Sequence, residues 1–440
     1  MSGHMNIILL SGGSGKRLWP LSNDIRSKQF LKLFKNGNGH ESMVQRVYRQ
    51  LKEAVPSVDV TIATSRTQVD SIRNQLGDDV SISIEPGRRD TFPAIALAVA
   101  YLHEVKKVDA NDPVVICPVD PYVEAGYFEC VKEMYDRVQK GAKELVLMGI
   151  NPTYPSEKYG YIKPLTGKDG ECSYGFTEKP TAEKAAEYIA EGALWNGGVF
   201  GFKLSYVLEK SRELLGTDVY EELFEGYDKL EKISFDYAVV EKETSIEVVK
   251  YDGEWKDLGT WNTLTETMQE RAVGDVRFDD KCANVHAVNE LDVPVLIMGL
   301  KDAVVTASAE GILVSDLGQS SYIKPFVEAI DGPVRYAEKS WGSFRVLDIE
   351  ETGMTIKVTL NPGHHMNYHS HERRNEVWTV IGGSGVAILD DKRIEVNVGD
   401  VLTMPAGCKH TIFAGDDGLR LIEVQVGSDI SVNDKIKYEM

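Results

Sequence analysis

The sequence has few cysteines, no long apolar run and no excess of basic residues. Its five cysteines form no close pair, so we expect reduced thiols, as in cytoplasmic proteins. No apolar run reaches membrane-spanning length, and no secretory signal is recognisable; Met1 to His4 resemble a cloning remnant before a native Met5. The formal net charge of −19 argues against nucleic acid or an anionic membrane as a partner. These absences favour a globular cytoplasmic protein.

Strand and helix patterns alternate in the first part of the chain, which predicts an α/β fold. Short apolar runs at 58–64, 80–84 and 114–117 are typical of buried strands, and helical patterns lie between them. This alternation predicts an open, Rossmann-like, mostly parallel sheet whose ligands bind at the carboxyl ends of the strands. A helix over 265–271 is expected to close this part.

The rest of the sequence changes character twice. Short strand-like pieces recur up to a Gly332-Pro333 linker, and from Trp341 strand patterns alternate with Gly and Asp turns. The second pattern predicts a small antiparallel barrel or jelly roll. We therefore expect three domains, covering 1–274, 275–332 and 333–440.

A glycine-rich turn follows the first predicted strand. The run reads Ser11-Gly12-Gly13-Ser14-Gly15-Lys16-Arg17-Leu18-Trp19-Pro20-Leu21-Ser22. Glycines let backbone N–H groups approach a phosphate chain, and Lys16 and Arg17 add fixed positive charge. A plain turn between strand and helix would also explain the glycines. The spacing fits neither the P-loop nor the dinucleotide fingerprint.

The continuation of this run resembles the signature of mannose-1-phosphate guanylyltransferases, a family of sugar-nucleotide pyrophosphorylases. Lys28-Gln29-Phe30-Leu31 follows as in the family, although Ser27 replaces its usual proline. The resemblance implies a transferase that joins GTP and mannose 1-phosphate into GDP-mannose and pyrophosphate. It also implies a small left-handed β-helix over 275–332. The resemblance assigns nucleotide binding to Gly12, Gly13, Gly15 and Lys16. It assigns catalysis to Arg17 and Lys28.

A second motif begins at Glu85 and runs Glu-Pro-Gly-Arg-Arg-Asp-Thr-Phe-Pro. It resembles the family motif beside the base and ribose, which implies nucleotide-binding roles for Glu85 and Arg89. Arg88, Asp90 and Phe92 depart from the family pattern, so CTP or UTP stays an alternative to GTP. The same run is typical of a well-capped helix start, with Asp90 or the following threonine as the cap.

Two aspartates are candidate ligands for Mg²⁺, which such phosphate chemistry requires. Asp120 follows the strand pattern 114–117, where a ligand is expected in an open α/β sheet. Asp257 matches the second metal aspartate of the family. Each alone is also typical of a turn or a helix cap.

Three further motifs resemble the sugar-phosphate side of the family site. They contain Tyr159-Gly160-Tyr161-Ile162, Phe176-Thr177-Glu178-Lys179-Pro180 and Trp195-Asn196-Gly197-Gly198-Val199-Phe200. Glu178 and Asn196 can fix sugar hydroxyls, and Lys179 offers a charge to the sugar phosphate. The resemblance adds Tyr159 and Gly160 to this site. An exposed Glu-Lys pair and a β-bulge are the ordinary structural alternatives.

The C-terminal part carries the two spacing motifs of cupins. His369, His371 and Glu376 belong to the first motif, and His410 belongs to the second. In a strand with a period of two, His369 and His371 face the same side. Three imidazoles and a carboxylate suit Zn²⁺, Fe²⁺, Mn²⁺ or Ni²⁺.

In the bifunctional relatives that this chain resembles, the cupin is a phosphomannose isomerase. Here His369 replaces the family's glutamine, and the sequence stops at Met440 without the family's basic tail. Lys435 and Lys437 could supply part of a phosphate anchor. Slow isomerisation, a non-catalytic sugar-binding or dimerising module, and an oxygenase therefore stay open for this domain. A different sugar phosphate for the transferase and a homodimer also stay open.

Overall fold

The structure is a computed structural model that describes residues 4–13, 16–23, 25–141, 143–166 and 172–439. The chain divides into two compact units. The first comprises Met1–Gly13, Lys32–Val69 and Asp79–Leu258, and the second comprises Ser14–Leu31, Asp70–Asp78 and Gly259–Met440. No helix in the described ranges is long and apolar enough to cross a membrane.

The first unit is built on strands, of which those at Pro113–Pro118 and Leu145–Ile150 are almost entirely buried. In chain order the strands are β1 (Asn6–Ser11), β2 (Phe34–Asn36), β3 (Gly39–Glu41), β4 (Asp59–Ser65), β5 (Ser81–Glu85), β6 (Pro113–Pro118), β7 (Pro121–Val123), β8 (Leu145–Ile150), β9 (Tyr161–Thr166), β10 (Cys172–Thr177), β11 (Leu194–Lys203), β12 (Ile246–Tyr251) and β13 (Trp255–Asp257).

A mixed sheet in the order β10-β9-β11-β6-β1-β4-β5 forms the centre, and β8 joins it beside β11 and carries β12. Strands β6, β1, β4 and β5 are parallel neighbours, with Leu10 opposite Pro118 and Ser65 opposite Glu85. Their carboxyl ends therefore meet at one edge, as the strand patterns predicted.

Helices cover this sheet and recur in the second unit. They are α1 (Met43–Ala54), α2 (Val69–Leu76), α3 (Thr91–Ala100), α4 (Gly126–Lys140), α5 (Ala182–Ala190), α6 (Leu204–Leu215), α7 (Tyr220–Glu225), α8 (Phe235–Ala238), α9 (Trp261–Thr265) and α10 (Lys324–Glu328). Helix α3 begins after Asp90, whose carboxylate accepts a hydrogen bond from the N–H of Thr91. From Phe92 onward every residue of α3 is buried, so it lies inside the core.

The predicted helix over 265–271 is wrong, because α9 ends at Thr265. The hydroxyls of Thr265 and Thr267 donate to the carbonyls of Asn262 and Leu264, at 3.1 and 2.8 Å. Threonines that bond to nearby backbone compete with the helical pattern, and turns follow instead.

The second unit is rich in strands. They are β14 (Ala272–Val273), β15 (Val276–Phe278), β16 (Ala283–Asn289), β17 (Val295–Ile297), β18 (Lys301–Ser308), β19 (Gly311–Asp316), β20 (Tyr336–Lys339), β21 (Gly342–Ile349), β22 (Gly353–Leu360), β23 (His369–Ser370), β24 (Arg374–Leu389), β25 (Lys392–Val396), β26 (Val401–Met404), β27 (His410–Gly427) and β28 (Ile436–Lys437).

Short parallel strands stack in the first half of this set, as expected of a β-helix-like segment. Strand β16 pairs in parallel with β14 and β18, and β15 pairs in parallel with β17. Val285, Ala287 and Ile297 form a small core between the layers.

The cupin-type part forms one antiparallel sheet around the long partners β24 and β27. Strand β27 also pairs with β22 and, through His410, with β23. Trp378 is fully buried in its core beside Val380 and Leu421. This agrees with the predicted cupin fold. Among the described residues, however, the strand pairs do not close into a complete barrel.

Candidate active site and metal centre

The glycine-rich turn leaves the carboxyl end of β1 in the first unit. Gly13 has a φ of 100°, which favours glycine. The Thr64 hydroxyl donates to the carbonyl of Ser11 at 2.9 Å, and Gln68 Nε2 donates to that of Gly13 at 3.0 Å. Carbonyls on either side of Gly12 are thus held from β4 and its following turn. Gly15 lies outside the described residues.

The strand pairing of the first unit brings the two candidate metal ligands together. Asp120 lies between β6 and β7, and β7 pairs antiparallel with β13 so that Asp257 lies opposite Pro121. Both aspartates are half-buried. Two carboxylates at one edge of a sheet supply the oxygen ligands that Mg²⁺ prefers, so these residues fit such an ion.

Glu85 ends β5 at the same edge of the sheet. Its carboxylate accepts a hydrogen bond from the Tyr227 hydroxyl at 3.0 Å, and burial raises the pKa of Glu85 to about 7. Arg89 donates to the carbonyl of Tyr227 at 3.3 Å and to that of Asp228. The Arg89 guanidinium is therefore engaged with the loop that positions the partner of Glu85.

The residues expected on the sugar side converge in the first unit. A Cβ atom at Gly160 would overlap the Phe176 ring and the Glu178 carboxylate, so Gly160 lies directly beside both. The N–H of Asn196 donates to the carbonyl of Gly160 at 2.8 Å. Glu178 Oε1 and Lys179 Nζ form an ion pair at 2.6 Å. Three separate motifs thus meet in one polar cluster.

Tyr159 connects this cluster with the aspartate pair. Its ring packs against Trp195 and Trp255, with centroids 5.0 and 5.4 Å away. Burial raises the pKa of Tyr159 well above its usual range, and the nearby charge of Asp257 raises it further. Tyr159 therefore lies near Asp257, one of the two candidate magnesium ligands.

Asp236 belongs to the same cluster and was missed by the sequence analysis. It lies in the first turn of α8, and its Oδ1 accepts a hydrogen bond from Asn196 Nδ2 at 2.7 Å. Burial, followed by the charge of Glu178, raises the pKa of Asp236 to about 7. An aspartate in the first turn of a short helix is ordinary in sequence, so no local signal marks it.

Lys16, Arg17 and Lys28 are placed in the second unit, on two short 3-10 turns. Arg17 is exposed, whereas Lys16 and Lys28 are half-buried.

The four cupin candidates converge in the second unit. Ligand atoms of His369, His371, Glu376 and His410 all lie within 4.8 Å of one another, and all four residues are buried. His371 Nε2 lies 3.0 Å from Glu376 Oε1, and His410 Nε2 lies 3.1 Å from Glu376 Oε2. The contact between His410 Nε2 and Glu376 Oε2 does not have hydrogen-bond geometry, and neither atom has another hydrogen-bond partner among the described residues.

Backbone carbonyls fix the orientation of each imidazole. The Nδ1 atoms of His369, His371 and His410 lie 2.7, 2.6 and 3.0 Å from the carbonyls of Asn367, Asp434 and Cys408. A proton on Nδ1 leaves Nε2 of each ring as a lone-pair donor, which is the arrangement of histidine metal ligands. Neutral imidazoles beside a carboxylate fit a transition-metal ion.

Electrostatics favour the ligand forms of these groups. Burial, then the nearby charge of Lys435, lowers the pKa of His369 to about 2. Burial acts to raise the pKa of Glu376, but His371 and His410 together lower it below its ordinary range. Arg374 Nε also donates to Glu376 Oε1 at 3.1 Å and holds this carboxylate in place.

A second buried carboxylate lies one strand away from the metal candidates. Glu423 accepts hydrogen bonds from Trp378 Nε1 at 3.1 Å and from Gln425 Nε2. Burial and the charge of Glu376 raise the pKa of Glu423 to about 7. Burial lowers the pKa of Lys435, which faces the same group of charges. Two buried ionisable groups with shifted pKa values, Glu423 and Lys435, therefore lie near the metal candidates.

The α/β sheet of the first unit and the buried His and Glu cluster of the second are typical of a nucleotidyltransferase with a cupin domain. The chain belongs to the nucleotidyl transferase family, whose model matches residues 6–273. The model of the mannose-6-phosphate isomerase C-terminal domain matches residues 334–440. The protein is thus a nucleotidyltransferase that carries an isomerase-type cupin.

Individual relatives resemble the whole chain. The Xanthan biosynthesis protein XanB of Xanthomonas campestris is 29% identical, over 98% of this chain and 97% of its own. The mannose-1-phosphate guanylyltransferase of Salmonella montevideo is 27% identical over 98% of each chain. The crystal structure of mannose-1-phosphate geranyltransferase from Thermus thermophilus has a TM-score of 0.62 and 29% identity. It covers 74% of this chain and 98% of that chain.

Proposed function

We propose that this protein transfers the guanylyl group of GTP to mannose 1-phosphate, forming GDP-mannose and pyrophosphate. The observation that carries the proposal is the proximity of Asp257, one of the two candidate magnesium ligands, to Tyr159 of the sugar-side cluster. Full-length relatives with guanylyltransferase names support the choice of substrates.

In this reaction an oxygen of the mannose 1-phosphate attacks the α-phosphorus of GTP. The new bond forms as the bond from that phosphorus to the bridging oxygen of the β-phosphate breaks, and pyrophosphate leaves with the electron pair. Asp120 and Asp257 would hold Mg²⁺, which supplies charge neutralisation between the two phosphate groups when bound.

The chain's own residues bind and orient the two substrates. For the nucleotide, we assign Gly12, Gly13, Gly15 and Lys16 to binding of the phosphates, and Arg17 and Lys28 to neutralisation of the leaving pyrophosphate, because glycine backbones and fixed cations suit phosphate groups. Glu85 binds the nucleoside. Arg89 donates to the carbonyl of Tyr227, whose hydroxyl donates to the Glu85 carboxylate, and so supports the position of Glu85. On the sugar side, the residues are Tyr159, Gly160, Glu178, Lys179 and Asn196.

The deciding experiment measures pyrophosphate release from a panel of nucleoside triphosphates, each with several sugar 1-phosphates. We expect GTP with mannose 1-phosphate to react fastest, and chelation to stop the reaction. Faster release with CTP or UTP would overturn the choice of base and direct attention to Arg88, Asp90 and Phe92. A faster reaction with another sugar phosphate would overturn the choice of sugar.

We further propose that the cupin interconverts mannose 6-phosphate and fructose 6-phosphate. The buried His369, His371, Glu376 and His410 would hold a transition-metal ion, which polarises the substrate's oxygens when bound. Isomerisation moves a proton between adjacent carbons, and Glu423 and Lys435 are the nearby groups able to exchange one. A coupled assay for fructose 6-phosphate, before and after chelation, tests this. No interconversion by the metal-loaded protein would favour the non-catalytic sugar-binding or dimerising module.

A further inference from the structure

The segment that carries Arg17 and Lys28 is anchored in the β-helix-like part of the second unit. Between these two residues, Leu18, Leu21 and Arg26 are buried, although Arg17 itself is exposed. The position of an exposed cation at the end of a buried segment depends on the contacts that the buried residues of the segment make. Those contacts come from residues more than 240 positions later in the chain.

Glu310 holds the middle of this segment through Asn23. Glu310 Oε1 accepts hydrogen bonds at 2.9 Å from Asn23 Nδ2 and from the backbone N–H groups of Arg335 and Tyr336. Asn23 Nδ2 also donates to the Tyr336 carbonyl at 2.9 Å. Asn23 Oδ1 in turn accepts from the N–H groups of Ile25 and Arg26. One carboxylate oxygen thus fixes the fold of the turn.

Glu290 holds the second half through Arg26. The guanidinium donates Nη1 and Nη2 to the two oxygens of Glu290 at 2.8 and 2.9 Å, and it stacks on the Tyr336 ring at 4.8 Å. Burial opposes the charge of Arg26, but the charge of Glu290 outweighs this and raises the pKa of Arg26 above its usual range. A bidentate pair whose guanidinium is buried fixes both the position and the orientation of Arg26.

Three smaller contacts surround the Trp19-Pro20 step next to Arg17. The Ser308 hydroxyl donates to the Pro20 carbonyl at 2.6 Å, and Trp261 Nε1 donates to the Trp19 carbonyl at 3.2 Å. A side chain at Gly311 would overlap the Trp19 ring. These contacts close around the same segment and do not involve Arg17 or Lys28.

We propose that Glu290 and Glu310 are positioning residues for nucleotidyl transfer, which hold the Arg17 and Lys28 cations in place through Arg26 and Asn23. This inference rests on the proposed roles of Arg17 and Lys28 in the transfer reaction. The β-helix-like part would then support catalysis, although none of its residues is proposed to bind a substrate.

The kinetic test compares Glu310→Ala with Glu310→Gln in the full chain. Glutamine retains Oε1 as an acceptor, so we expect its kcat to stay within about twofold of wild type, whereas alanine lowers kcat at least about tenfold. The KM for mannose 1-phosphate should not change, because the sugar-side residues belong to the first unit. The control is Glu328→Ala, which removes an exposed glutamate of the second unit. Equal kcat values for Glu310→Ala and wild type would overturn the proposal.

A double-mutant cycle separates positioning from a general loss of structure. If Glu310 acts through Arg17 and Lys28, then the loss of kcat in the Glu310→Ala, Arg17→Ala double variant should fall well short of the product of the two single losses. Fully additive losses would overturn the proposal. If GTP is not the nucleotide used, the same cycle is run with the triphosphate that releases pyrophosphate fastest, so failure of the proposed substrate is distinguished from failure of this inference.

Limited trypsin digestion provides a readout that is independent of activity. The bond after Arg26 is protected in the wild type because Arg26 is 4% exposed and paired with Glu290. Glu290→Gln, which leaves Arg26 without its charge partner, and Glu310→Ala should both accelerate cleavage there, while Glu310→Gln and Glu328→Ala should not. Should Glu310→Ala not fold, Asn23→Ala removes the same hydrogen bond from the other partner. Unchanged cleavage in these variants would contradict the anchoring role.

Discussion

Asn196 and Asp236 form a hydrogen bond of 2.7 Å in which the amide donates to a carboxyl group whose pKa burial raises to about 7. The other side-chain atom of Asn196, Oδ1, accepts from the N–H of Gly198 at 3.1 Å. The nitrogen and the oxygen of the Asn196 side-chain amide therefore each form a hydrogen bond, which fixes the orientation of the amide beside Gly160. Asp236 thus orients a residue proposed to bind the sugar.

Asp236 should make stability depend on pH. Its pKa rises from 3.8 to about 7 on folding, so the native state binds the extra proton between these values. The stabilisation is complete below about pH 4 and is lost as the pH rises through 7. We expect Asp236→Asn to reduce the fall in Tm between pH 5.5 and pH 8. Asp136→Asn, at an exposed carboxylate, is the control. An identical fall in wild type and Asp236→Asn would show that Asp236 is ionised in the native state.

The aspartate pair predicts a metal dependence that separates activity from stability. Asp120→Asn and Asp257→Asn should each abolish Mg²⁺-dependent pyrophosphate release, because an amide is a weaker ligand than a carboxylate. Neither should change Tm by more than a few degrees, since both residues are half-buried at a sheet edge. The measurement is a Mg²⁺ titration of turnover. Asp252→Asn, at an exposed carboxylate paired with Lys250, should titrate like wild type.

Gly160 predicts a selective effect on the sugar substrate. In Gly160→Ala the new methyl group displaces the Glu178 carboxylate or the Phe176 ring, because their atoms occupy its position. We expect the KM for mannose 1-phosphate to rise about tenfold or more, with the KM for GTP changing much less. Gly39→Ala, where a methyl group meets no neighbour within 4 Å, is the matched control. An unchanged sugar KM would remove Gly160 from the sugar site.

The cupin cluster predicts one tightly held transition-metal ion per chain. His371→Ala should lose it during dialysis, since removing one of four ligands opens the site. Metal analysis by mass spectrometry after dialysis measures this directly. His364→Ala, at a half-exposed imidazole outside the cluster, should keep the ion. Equal metal content in both variants, or none in the wild type, would count against the site.

Much of this architecture is readable from local sequence. Periodic apolar runs predicted the strands and helices, because burial of one face repeats at a fixed spacing. The close spacing of His369, His371 and Glu376 predicted a ligand group, since only short turns separate these residues in the chain. The prediction of a helix over 265–271 is wrong because threonine hydroxyls there bond to backbone carbonyls. Such bonds compete with helix formation, and the periodicity of apolar residues does not reveal them.

By itself, the sequence determined which chemical groups the protein has and which segments carry them. Only the tertiary structure decided that Asp236 supports Asn196, that Asp257 lies opposite Pro121, and that Glu290 and Glu310 hold the segment between Arg17 and Lys28. Each of these relationships joins residues between 40 and 287 positions apart. Such contacts are selected by packing and by the pairing of buried polar groups, which leave no repeating pattern along the chain.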